Sequence, residues 1–210
     1  MRRNGSLAED WRHLRQAVEE IEADIIHSPS MQPTALMVRL LILGEDRRFY
    51  WHLGADPFAL LRASWKTFHG IPQGGSTIAM QLVRTLTGNY ERTYRRKLRE
   101  IILAVMITSW KGRIAIPSLY LWVAYYGWRM NGIKQAYMRL GSDHRRESLQ
   151  GAAELVARLK YPEPSVQTAK RAYQIDLRAR YLMSLVIGAE KSRKFVQDEK
   201  WNRLKSLRRS

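Results

Sequence analysis

Leu7, Trp11, Leu14, Val18, Ile21 and Ile25 recur at alternating spacings of four and three, with acids between them. That period predicts an amphipathic helix over about residues 6–26. A stripe of this kind most commonly docks on its own protein; meeting a partner helix is the rarer use. His27-Ser-Pro-Ser-Met-Gln-Pro then breaks the pattern, and an apolar run from residue 34 starts a second helix. Its apolar lead-in, residues 36–43, ends in the charged sequence Gly44-Glu45-Asp46-Arg47-Arg48.

Pro57 to Phe68 is apolar and aromatic with Arg62 and Lys66 interspersed, and the breaker-rich loop His69-Gly-Ile-Pro-Gln-Gly-Gly-Ser-Thr follows it. Ser76 or Thr77 can cap a helix from Ile78 to about Leu86, which Gly88-Asn89 ends. A further helix is expected from about Arg92 to Trp110, basic first and apolar from Ile101. Residues 114–140 are dense in aromatics, and 149–159 and 169–187 read as two more helices. Valine and isoleucine are scattered singly, with no alternating strand pattern and no internal repeat. The expectation is a mostly α protein of seven to nine helices.

Composition adds charge to that picture. The chain has 210 residues, 45% hydrophobic, and a net charge of +17. This length and apolar content suit one domain with an ample core. Residues 1–30 hold four Arg against six acids, so the other 180 residues carry +19. Such a body attracts polyanions, whether nucleic acid, anionic lipid headgroups or a phosphorylated substrate. The chain divides into residues 1–30, an N-terminal amphipathic helix and linker; 31–188, the body; and 189–210, a basic tail read as a solvated end.

There is no cysteine, which excludes disulfides and thiolate metal sites, and the five histidines lack metal-ligand spacing. No stretch has the apolar length of a membrane span, and no signal-peptide core follows the N-terminus. Membrane association is therefore expected to be peripheral, through amphipathic and basic surfaces.

The chemistry concentrates in three segments: Glu45 to Asp56, Gly74 to Gln81 with Arg84, and Arg92 to Glu100. The apolar run before Glu45 brings it to the edge of a low-dielectric region, where a carboxylate is tuned for proton transfer. A sugar polymerase with a pyrophosphate-linked donor needs a base on the attacking hydroxyl and cations on the leaving diphosphate. Glu45 suits the base, and Arg84, Arg92, Lys97 and Arg99 suit the diphosphate. On one helix Arg92, Arg96, Arg99 and Glu100 lie within two turns, so Glu100 should stay ionised and orient those cations.

Each segment also has a commonplace reading when taken singly. Glu45 to Arg48 could be a solvated helix end, Gly74 to Thr77 a mere cap, and Arg92 to Arg99 a solvated face or nucleic-acid patch. Phe49, Tyr50 and Trp51 are usually core, and His52 is usually a hydrogen-bonded structural histidine.

Joint occurrence of the three segments outweighs those separate readings. Glu45-Asp46-x-x-Phe49-x-x-His52-x-Gly54, Gly74-Gly-Ser-Thr-Ile-x-x-Gln81 and Arg96-Lys97-x-x-Glu100 resemble, in order and spacing, the three motifs of the peptidoglycan glycosyltransferases. That family comprises monofunctional transglycosylases and the N-terminal catalytic domains of class A penicillin-binding proteins. The resemblance runs on through Leu119 to Ala136 and Glu154 to Pro162, covering about residues 35–185.

It implies a lysozyme-like helical domain with a larger head lobe and a small membrane-facing lobe. It implies Glu45 as base on the 4-hydroxyl of a lipid-linked disaccharide-peptide acceptor, and Glu100 assisting at the donor. Asp46, Phe49, His52, Ser76, Thr77, Gln81, Arg84, Arg92, Arg96, Lys97 and Arg99 would bind substrate or shape that site. The implied reaction polymerises glycan strands and releases the lipid diphosphate, at the outer side of the bacterial inner membrane. Partners would be the lipid-linked precursor, the membrane surface and other cell-wall synthesis proteins, with no nucleic acid. A divalent cation (Mg or Mn) near the diphosphate is known for some members; the residues of this chain assign no cofactor or metal ligand.

Five positions depart from the family pattern. Met80 stands for a glutamine, Arg84 for a lysine, Ser118 for a glutamate, Trp122 for an asparagine and Arg129 for a glycine. The alternatives are a lysozyme-like muramidase or lytic transglycosylase with Glu45 as acid, and a non-catalytic binding or scaffold descendant. A basic nucleic-acid binder is the third, and no recognition motif supports it.

Overall fold

A computed structural model of the chain describes residues 6–69, 74–91, 93–141 and 148–207. Within them nine α-helices form. They are α1 Leu7–His27, α2 Ala35–Glu45, α3 Pro57–Phe68, α4 Ile78–Thr87, α5 Tyr94–Lys111, α6 Ala115–Val123, α7 Ile133–Leu140, α8 Leu149–Lys160 and α9 Ala169–Leu207. The expected mostly α architecture holds.

The starts are set by local side-chain chemistry. Ser6 and Glu9 close a capping box on α1, and Thr34, Thr77, Thr93 and Ser148 each accept a backbone N–H two or three residues into α2, α4, α5 and α8. These hydroxyls satisfy amides that would otherwise have no partner in the first turn. Gly88 ends α4 in the left-handed region at φ 61°, as the Gly88-Asn89 signal predicts.

Two helices run through the middle. Helix α4 packs against α1, α5 and α6, while α2 packs against α8, α9 and α6. Ile78, Ala79, Met80, Leu82 and Val83 are all buried, so α4 is enclosed around most of its circumference. The half-buried strip that remains carries Gln81, Arg84 and Thr85. The same enclosure buries Met37, Leu40, Leu41 and Ile42 of α2 and delivers its last residue, Glu45, to the rim. Packing of the two central helices therefore presents their polar residues together.

The α1 stripe docks as expected: Leu14, Val18 and Ile21 are buried, and Trp11 meets Trp110 edge-on at 5.7 Å. Charge adds to it, since Asp10 pairs with Arg99, Glu22 with Lys111 and Asp24 with Lys134. The acidic helix thus lies on the cationic body.

Two features differ from the sequence expectation. A two-stranded antiparallel hairpin, β1 Tyr125–Gly127 and β2 Met130–Asn131, occupies part of the aromatic stretch. Strands of three and two residues are too short to show an alternating pattern. Helix α9 continues without a break to Leu207, so the boundary expected at residue 189 falls inside a helix. No Gly or Pro interrupts residues 189–207, and adding residues to a helix already nucleated upstream costs little. No single helix among the described residues is long and apolar enough to cross a membrane.

Candidate active site

Glu45 is the last residue of α2, and its side chain is about one-fifth exposed. Arg178 of α9 donates through Nη2 to Glu45 Oε1 at 2.6 Å and to the Gly44 carbonyl at 3.0 Å. Glycine at 44 permits this contact, because a Cβ there would lie 2.4 Å from Leu182 Cδ2 of α9. The neighbour of the candidate base is therefore a cation from the far end of the chain as well as the apolar run before it.

Asp46, Phe49 and His52 turn inward. His52 Nε2 donates to both Asp46 oxygens at 2.9 and 3.1 Å, and Asp46 Oδ2 also accepts the amide of Ile78 at 3.3 Å. Thr77 donates to the Gly54 carbonyl at 2.5 Å while capping α4. Gly54 has φ 90°, and a Cβ there would lie 2.1 Å from the Ala104 carbonyl oxygen of α5. Asp46, Phe49, His52 and Thr77 are all buried. In this structure they tie the end of α2 to the start of α4, which sets Glu45 relative to Gln81 and Arg84.

Glu100 forms the second centre. It is 3% exposed and accepts from Arg84 through two nitrogens at 3.1 and 2.9 Å, from Lys97 at 3.0 Å, and from Arg96. Burial acts to raise its pKa, yet the bonds from Arg84 and Lys97 win and hold it below the ordinary value. Lys97 is shifted down, because burial outweighs its bond to Glu100. Arg84 and Lys97 also converge on one neutral oxygen, Ser76 Oγ, at 3.1 and 2.9 Å. Two cationic donors aimed at one oxygen form a seat for an anionic oxygen.

Arg99 points elsewhere, to Asp10 of α1 at 3.2 Å, so α5 divides its cations between the Glu100 centre and the docked helix. Arg92 lies outside the described residues, as do residues 70–73 of the breaker-rich loop. A cavity of about 580 Å³ opens beside the centre, bounded by Arg84, Arg96 and Glu100 on one side and Glu9, Asp10 and His13 of α1 on the other.

Tyr120 of α6 sits between the two carboxylate centres. Its hydroxyl donates to Gln81 Oε1 at 2.8 Å. Burial, and then the charge of Glu45, push its pKa well above the ordinary value. Residue pattern does not single out Arg178 or Tyr120. Tyr120 lies in the Leu119 to Ala136 stretch that resembles the family, with no role assigned to it there, and Arg178 is one of many basic residues.

Four departures acquire places. Met80 is wholly buried in the core. Trp122 is buried, and its indole N–H donates to Asp24 of α1 at 3.1 Å, so it helps to dock that helix. Arg129 adopts φ 56°, where glycine is the usual choice, and stacks on Trp128 at 4.3 Å. Ser118 is half-buried in α6, and nothing in the structure explains the loss of a glutamate there.

Beyond the site, Trp51, Leu53, Phe58, Leu61 and Trp65 form an exposed apolar surface on and before α3. Arg62 is exposed and Lys66 half-buried on the same helix. Among the described residues no three His, Asp or Glu side chains converge in a metal-holding group. Glu45 and Glu100 are already bonded to cations, so these residues do not fit a protein-held divalent ion.

The Transglycosylase family model matches residues 13–186. The chain is 37% identical over 129 residues to penicillin-binding protein 1A of Aquifex aeolicus, covering 60% of this chain and 18% of that protein. It is 42% identical over 102 residues to penicillin-binding protein 1A of Escherichia coli, covering 48% of this chain and 12% of that one. A biosynthetic peptidoglycan transglycosylase of Alcanivorax borkumensis is 31% identical over 165 residues, 76% of this chain and 60% of the relative. The match thus spans less than two thirds of the length of each relative.

Proposed function

The chain belongs to the Transglycosylase family, and on that premise we propose that it polymerises glycan strands from a lipid-linked disaccharide-peptide, releasing the lipid diphosphate. The observation that carries this reading is the pair of unlike carboxylate centres. Glu45 is held by one cation at the rim, while Glu100 is buried beneath three.

In the proposed step the acceptor 4-hydroxyl attacks the anomeric carbon of the donor strand. The new C1–O4 bond forms as the bond from C1 to the phosphate oxygen breaks, inverting the anomeric centre. Glu45 takes the hydroxyl proton, and the electron pair leaves on the lipid diphosphate. Arg178 orients Glu45. Arg84 and Lys97, which converge on Ser76 Oγ, offer their donors to the diphosphate as its charge grows. Glu100 keeps those cations aligned and limits their mutual repulsion. Gln81 contributes a carboxamide between the centres. Asp46, Phe49, His52 and Thr77 shape the site from within, and Arg92 is assigned to the diphosphate on the motif match alone.

The apolar α3 surface with Arg62 and Lys66 is proposed to rest in the membrane interface, where the lipid tail of the substrate lies. The active site then works at the extracytoplasmic face of the inner membrane. Residues 31–188 are proposed as the transferase unit, on which the described part of the N-terminal segment, α1 with its linker, is docked.

A labelled lipid-linked disaccharide-peptide tests the reading. Wild type should give a polymer ladder and Glu45→Gln none, with folding retained. Binding without polymer would overturn the enzymatic reading, and release of muropeptides from purified cell wall would favour a lytic one.

A further inference from the structure

We propose that Tyr120 is a positioning residue of the transfer site: its hydroxyl fixes the carboxamide of Gln81 so that the N–H₂ end is held for a substrate oxygen. The inference rests on the glycosyl-transfer reading above.

Tyr120 is 7% exposed in α6 and donates to Gln81 Oε1 at 2.8 Å. Gln81 lies on the half-buried strip of α4, one turn before Arg84, whose guanidinium reaches Ser76 and Glu100. A carboxamide has one acceptor end and one donor end, and a half-turn about its last torsion exchanges them. With Oε1 engaged by a phenol, the donor end is the one left over, and no acceptor for Nε2 is found among the described residues. Substrate would then supply the acceptor.

The clamp favours one direction. The phenol is buried close to the negative charge of Glu45, so it keeps its proton and donates. A flipped amide would turn its N–H₂ to the phenol oxygen, a weaker acceptor than a carboxamide oxygen, and would leave the hydroxyl proton in need of another partner. Tyr120 therefore selects one of two amide orientations. Because it sits in α6, the selection also depends on how α6 packs on α4.

A double-mutant cycle on the full chain tests the proposal. Tyr120→Phe should lower kcat for labelled lipid-linked disaccharide-peptide about tenfold with KM within about twofold, the behaviour of a misplaced group rather than a lost binding contact. In a Gln81→Ala background the same change should cost less than about twofold, since the group it positions is gone. Gln81→Glu keeps an acceptor for Tyr120 but removes the donor end, and should lose as much activity as Gln81→Ala. The side-chain amide signals of Gln81 in a ¹⁵N–¹H spectrum without substrate should shift and exchange faster in Tyr120→Phe.

Additive losses would make Tyr120 merely structural, and unchanged Gln81 amide signals would overturn the clamp. Should wild type show no turnover, the transfer reading falls, and the amide spectrum alone still decides whether Tyr120 holds Gln81. Should Tyr120→Phe fail to fold, Gln81→Glu decides: activity near wild type would show that the donor end is not used.

Discussion

Arg178 Nη2 lies 2.6 Å from Glu45 Oε1, joining the end of α2 to the first third of α9 across 133 residues of sequence. Both side chains are mostly buried. The pair fixes the carboxylate through one of its two oxygens. Arg178→Ala should destabilise the fold by roughly 1–3 kcal/mol, because it strands a half-buried carboxylate and the Gly44 carbonyl. A domain of this size should then melt about 2–12 °C lower. It should also cut polymerisation more than the melting shift explains, while Arg178→Lys recovers part of the loss. Full activity in Arg178→Ala would remove it from a role in orienting Glu45.

Glu100 ties stability to pH. Against the opposing effect of burial, Arg84 and Lys97 hold its folded pKa below the ordinary 4.5. A carboxylate depressed on folding stabilises fully above its unfolded value, and the stabilisation is lost as pH falls through the folded value. The gap in melting temperature between wild type and Glu100→Gln should be widest near neutral pH and close below about pH 4.5. A gap that widens on acidification would contradict this assignment.

At Arg129 the backbone lies in the left-handed region, at φ 56°. Arg129→Gly removes a cost of about 1 kcal/mol but also the stack on Trp128, worth about 0.5–1 kcal/mol, so it should be close to neutral. Arg129→Ala loses the stack and keeps the strain. Thermal melts should therefore place Arg129→Ala below Arg129→Gly by the equivalent of about 1 kcal/mol.

The α3 surface gives a prediction independent of catalysis. Leu61 and Trp65 are 71% and 68% exposed. Replacing both with serine should weaken flotation with anionic vesicles severalfold and leave the melting temperature nearly unchanged, since neither supports the core. Unchanged flotation would move the membrane contact elsewhere.

Much of this was legible in the sequence because it is local. Thr77 and Gly88 announce helix ends through contacts within a few residues. Arg96, Lys97 and Glu100 share one face of α5 by helical spacing alone, so their cluster could be read directly. Arg99 shows the limit of such reading: it is equally cationic and adjacent in sequence, yet it turns to Asp10 because α1 docks on that side.

The helical class, most of the helix starts, the basic character and the residue types of both carboxylate centres could be read from the chain alone. These follow from periodicity, capping and charge, which act over a turn or two. Only the tertiary structure decided that Arg178 faces Glu45, that Tyr120 holds Gln81, that Asp46 and His52 turn inward, and that Trp122 anchors α1 through Asp24. Those contacts join residues that no helical or strand period relates. They form because packing around α2 and α4 brings polar groups from distant parts of the chain within hydrogen-bond reach.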